Sequence, residues 1–138
     1  MHIRGNQMKG PFASWRKSLL DRFSDHEDIG IDEVYARYFM KEGLPRECVF
    51  ECLKLIEIEY ELPAGLIRPC DSLERLLKPI ETRNPLSWFL YRHREEDIQS
   101  ELNYELSKRL RKHGTFETWQ KFETIGDFVR AWCGRKPT

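Results

Sequence analysis

Hydrophobic residues return at helical intervals along most of this chain, and nowhere does the strict alternation of a half-buried strand persist. Phe12, Trp15, Leu19 and Phe23 share one face of a short amphipathic helix, with Leu20 beside them, ahead of the polar run Ser24 to Asp28. Residues 1–11 carry glycine and proline breaks and no period, which predicts a flexible lead. Asp28 or Asp32 is placed to open a second helix striped by Val34, Tyr35, Tyr38 and Phe39, and Gly43 is placed to end it in the left-handed conformation. A third helix over 45–61 begins on Pro45, a residue suited to the first helical position. It sets Val49, Cys52, Leu53, Ile56 and Tyr60 on one face and mostly charged residues on the other.

The pattern then shortens. Pro63 and Gly65 close the third helix, and Leu66 to Pro69 reads as an extended connection. Asp71-Ser72-Leu73-Glu74 has the form of a capping box with Asp71 as the cap, and Pro79 limits the helix it opens to about two turns. Asn84-Pro85 starts an inserted helix through Leu86, Trp88, Phe89, Leu90 and Tyr91. Beyond the charged run Arg92 to Asp97, Ile98, Leu102, Leu106 and Leu110 recur every four residues, predicting a helix over 97–113 that Gly114 stops. A loop with Phe116, Trp119 and Phe122 leads to a closing helix, where Thr124 is the cap, Asp127 reaches back, and Ile125, Phe128, Val129 and Trp132 face inward. The prediction is an all-α chain: an N-terminal arm over residues 1–30 and one helical domain over 31–138.

Composition adds limits. The 138 residues are enough for one buried core, and 23 basic side chains balance 23 acidic ones, so no global field favours nucleic acid or an anionic membrane. No run reaches the roughly 18 apolar residues of a membrane helix. The first residues lack the apolar centre of a secretory signal, so a cytoplasmic protein is expected, with Cys48, Cys52, Cys70 and Cys133 reduced.

Candidate chemistry is sparse. Cys48 and Cys52 stand four apart on one helix, but no second pair of ligands has matching spacing, so no metal site is predicted. Glu95, Glu96, Asp97, Glu101 and Glu105 read as a solvated acidic face interleaved with arginine and lysine. Lys108 to His113 is a basic helix end that complements the helix dipole, and nucleic-acid binding through it is not expected. No nucleophile–histidine–acid pattern and no glycine-rich phosphate loop occurs, so an enzyme is not expected.

Residues 45–133 resemble the acyl carrier protein superfamily, in its divergent bacterial branches. The resemblance rests on three segments in order: Val49 to Ile56 with the turn Leu62 to Pro69, Asp71-Ser72-Leu73-Glu74-Arg75-Leu76-Leu77, and the threonine-capped Thr124-Ile125-Gly126-Asp127-Phe128-Val129. It implies a small carrier-like bundle, extended by the N-terminal helix and by the inserted helix. The family attaches 4′-phosphopantetheine to a serine in Asp-Ser-Leu at the start of a long second helix. Gln99-Ser100-Glu101, opening the helix over 97–113, places Ser100 at that position, with Ser72 of Asp71-Ser72-Leu73 as the alternative. Gln99 and Glu101 depart from the family's Asp and Leu, which implies a degenerate module that binds or presents rather than catalyses. Glu95, Glu101 and Glu105 would form the acidic face met by a basic protein partner, and Trp88 would bring an apolar partner contact. The alternative is a helical interaction or regulatory module with no prosthetic group.

Overall fold

In a computed structural model of the chain, residue 10, residues 12–111 and residues 121–135 are described. The chain is all-α, with six helices and no strand among these residues. They are α1 (Ala13–Asp21), α2 (Ile31–Val34), α3 (Arg46–Tyr60), α4 (Glu74–Leu77), α5 (Pro85–Arg111) and α6 (Ile125–Trp132). The expected Gly114 stop and the residues Phe116 and Trp119 lie outside the described residues.

The N-terminal helix belongs to the core. Trp15, Leu19 and Phe23 are buried in the same apolar cluster as α3, α5 and α6, whereas Leu20 faces out. Trp15 lies parallel to Tyr60, their ring centroids 6.4 Å apart. α2 runs on through a π-helical turn (Tyr35–Phe39) and a 3-10 turn (Met40–Glu42) to Gly43, whose φ of 76° is the left-handed stop expected from its lack of a side chain.

In α3, Val49, Cys52, Leu53, Ile56 and Tyr60 are all buried, so the 3.6-residue period did place its face. The helix ends on Glu61, which itself takes the left-handed conformation (φ 53°). The next turn (Ala64–Leu66) passes so close to the segment before α2 that a Cβ on Gly65 would sit 2.4 Å from the Gly30 nitrogen. No larger residue fits there without moving backbone.

Three sequence expectations need correction here. Asp71 is not the cap of α4. It is buried, accepting from the Arg68 N–H (2.9 Å) and lying 2.7 Å from Nε2 of His26, while the exposed Ser72 accepts from the Glu74 N–H. The inserted helix and the helix over 97–113 are one element, α5, which runs unbroken from Pro85 to Arg111. Arginines and glutamates of the charged run are good helix formers and continue the helix rather than interrupt it. Its start is as expected, with Asn84 Oδ1 accepting from the Ser87 N–H.

The third correction concerns sulfur. Cys48, in the first turn of α3, and Cys133, just past α6, form a disulfide with their Cα atoms 5.7 Å apart. The expectation of reduced thiols holds for Cys52, which is buried, and Cys70, which is exposed.

α6 closes the bundle against α3 and α5. Thr124 Oγ1 accepts from the Asp127 N–H at 3.0 Å, the predicted cap. The Asp127 carboxylate turns instead to Arg130, which also holds Glu42 through two bonds. Ser72 and Thr124 meet in an isolated bridge that joins the α4 and α6 entrances, with Leu73 donating to Glu123 O and Ile125 to Asp71 O.

Candidate functional site

Ser100 is exposed and lies mid-helix in α5, far from its start at Pro85. The position expected for a carrier serine, at a helix N-terminus with free backbone N–H groups, is not the position Ser100 occupies. Ser72 is also exposed. It borders a shallow depression with Cys70, Leu73, Leu77, Phe122 and Thr124, ahead of the short α4.

Glu95 departs most from the expected acidic face. It is 7% exposed and serves the interior. Its Oε2 accepts from the Trp15 indole N–H (3.0 Å) and from the Ile80 N–H (2.9 Å), and Oε1 lies 2.8 Å from Nε of Arg92. Arg92 in turn donates to the Ile80 carbonyl. A buried carboxylate is tolerated when cation and donors surround it, and Glu95 uses them to tie α1 and the α4–α5 connection to α5.

Glu101 and Glu105 remain on the surface, half-buried, and face a residue that the sequence reading passed over. This is Glu59 near the end of α3. Burial raises the Glu59 carboxyl above its ordinary value, and Glu101 and Glu105 raise it further, against a partial offset from Arg94. Glu105 has Lys108 at 3.1 Å, Arg94 is held by Glu61 at 2.6 Å, and Lys54 lies 3.8 Å from Glu57. Among the described residues neither Glu59 nor Glu101 makes an ion pair within 4 Å; Arg94 acts on Glu59 and Lys108 on Glu101 only from farther away.

Beside them Ile58 is 67% exposed and stands between two depressions in the seam of α3 and α5. One is lined by Leu55, Lys54, Glu105 and Lys108 and ends at Glu51, Arg109 and Trp132; the other by Glu59, Leu90, Arg94, Asp97 and Ile98. The result is a partly apolar seam with Glu59 on its wall and Glu101 nearby.

Trp88 is exposed, as a partner contact requires, with the Arg92 guanidinium 5.5 Å from its ring. Leu86, Phe89 and Leu90 are exposed with it, so the first turns of α5 carry a row of exposed apolar residues in sequence. Only from Tyr91 onward does α5 bury residues against the core.

The remaining constellation was not anticipated. Arg109 of α5 donates to Cys48 Sγ (3.3 Å) and pairs with Glu51 (2.5 Å), and its guanidinium lies 5.0 Å from the Trp132 ring. Trp132 Nε1 also donates to Glu51. The signal was present in Cys48 and Cys133 at the ends of two amphipathic helices, but pairing cannot be read from cysteine positions alone.

No group of three or more metal-ligating side chains occurs among the described residues. No helix among them is long and apolar enough to cross a membrane. Comparison with protein-family models, with curated proteins and with solved structures gave no match.

Proposed function

We propose that this chain is a helical protein-docking module without a prosthetic group, and that a basic, amphipathic segment of a partner protein binds along the seam of α3 and α5. The observation that carries this reading is the juxtaposition of Glu59 and Glu101. Neither makes a close ion pair with a described cation, Glu101 raises the cost of ionising Glu59, and Glu59 follows the exposed Ile58 in α3. A partner's lysine or arginine would supply the missing charge while its apolar side chains cover Ile58 and Leu90. Leu86, one turn before Leu90 on the same face of α5, extends the contact, while the exposed Trp88 and Phe89 border a separate depression of the same helix. A cytoplasmic setting belongs to the same reading.

The test uses two synthetic helical peptides of equal hydrophobicity, one patterned with leucine and lysine and the other with leucine and glutamate. Fluorescence anisotropy should show binding of the lysine peptide alone, weakening as salt rises. Charge reversal at Glu59→Lys with Glu101→Lys should abolish it. Equal binding of the two peptides, or binding indifferent to the reversal, would sink the proposal. An added arm on Ser100 or Ser72 after co-expression with a phosphopantetheinyl transferase, read by intact mass, would favour carrier chemistry instead.

A further inference from the structure

We infer that the Cys48–Cys133 disulfide is a directed thiol-exchange site, in which an incoming thiolate attacks Cys133 and Cys48 is the sulfur that leaves. Three features at the bond separate the two sulfurs. Cys48 is the third residue of α3, where the N–H groups of the first helical turn point toward added negative charge. Cys133 follows the last residue of α6, at the end of a helix where negative charge is disfavoured. Arg109 donates to Cys48 Sγ and is itself held in place by Glu51 and the Trp132 ring. All three stabilise a thiolate at Cys48 over one at Cys133, and the better-stabilised thiolate is the better leaving group.

Cys48 and Cys133 are each half-buried at the edge of the core, unlike Cys52, which it encloses fully. The other cysteines do not compete. Cys52 lies one turn beyond Cys48 but is fully buried, and burial pushes its thiol well above the ordinary range, which withholds its thiolate. Cys70 sits in the turn before α4, in the depression bordered by Ser72 and Thr124 rather than in the seam that holds Arg109 and Trp132.

The reductant is a thiol. Its thiolate forms a bond to Cys133 Sγ as the Cys48–Cys133 bond breaks, and the electron pair departs on Cys48 Sγ beside Arg109. A second thiol, ionised, then attacks the reductant's sulfur in the mixed disulfide and releases Cys133 as a thiolate that takes up a proton. Overall, one protein disulfide and two thiols give two protein thiols and one external disulfide. Two electrons pass to the protein. Nothing in this exchange requires a docked partner, although Arg109 and Trp132 also border the seam of α3 and α5.

The experiment takes the full chain, air-oxidised, and treats it with reduced glutathione. Samples are quenched with N-ethylmaleimide over time and mapped by peptide mass spectrometry. The expected intermediate carries glutathione on Cys133 and maleimide on Cys48. Arg109→Gln should slow its appearance by roughly threefold and erode the preference between the two sulfurs. Glutathione on Cys48, an even distribution, or maleimide on Cys48 and Cys133 before any reductant is added would overturn the inference. If Arg109→Gln does not fold, the distribution in the unaltered chain decides the matter by itself.

Discussion

Glu59 is a carboxylate whose surroundings work against its charge, and this gives it a pH signature. Its folded-state value lies above the ordinary one, first through burial and then through Glu101 and Glu105. A group raised on folding binds its proton more readily in the folded chain. Its contribution to stability is therefore complete below the ordinary carboxylate range and is lost as pH rises through the raised value. Glu59→Gln removes that loss, so its melting temperature should exceed the parent's at pH 7, and the difference should shrink toward zero by pH 4. An equal shift at both pH values would mean that the substitution acts through packing. Asp25 behaves in the opposite sense. The Arg75 fork lowers its carboxyl to about 2, so the stability it contributes is present at neutral pH and is lost only as pH falls through that value. Nothing in the sequence marked either acid as unusual: Asp25 is one charge in a polar run, and Glu59 is one of several glutamates on an amphipathic helix. Only the position of Arg75, fifty residues from Asp25, and of Glu101 across the seam separates them.

At the scale of elements, legibility followed the range of the forces involved. α3 and α6 could be read because their apolar faces repeat within a single helix and the Thr124 cap is a contact over three residues. α5 was read as two helices because its first turns carry apolar residues that do not share the later stripe. Leu86, Phe89 and Leu90 are exposed, while Ile98, Leu102, Leu106 and Leu110 are buried. The same division makes a prediction. Phe89→Ser removes an exposed ring and should change unfolding free energy by no more than about 0.5 kcal/mol. Leu102→Ala opens a hole in the packed stretch and should cost about 2–5 kcal/mol. Chemical denaturation of the two variants beside the parent checks both, and a comparable loss at Phe89 would show that the row packs against something in the free protein. Glu95 was illegible for a different reason. Its one local partner, Arg92, stands at the i,i+3 spacing of any surface pair, while the donors that make its burial tolerable are Trp15, eighty residues away, and the Ile80 N–H.

The whole molecule is held by three helices that converge where α3 begins and α6 ends. Arg109 bridges from α5 to Glu51 of α3, Trp132 of α6 shares that carboxylate, and the Cys48–Cys133 bond joins the same two helices covalently. Cysteine spacing could not announce the bond, because the two residues are 85 positions apart and meet only once the bundle is assembled. That separation is what makes the bond matter. A cross-link closing so long a loop restricts the unfolded chain far more than the folded one, by about 4–5 kcal/mol in the chain-entropy view. Reduction should therefore lower stability in a two-state unfolding measurement by a large part of that amount, and Cys133→Ser should reproduce the effect without any reductant. The folded bundle should survive the loss, since α6 keeps its buried face, its Thr124 cap and the Arg130–Glu42 pair. Far-ultraviolet circular dichroism of the reduced chain at low temperature should thus match that of the oxidised chain while its melting temperature falls. A melting temperature indifferent to dithiothreitol would mean that the sulfurs are not bonded in solution. Loss of the helical signal on reduction would mean that the closing helix depends on the covalent bond more than on its core.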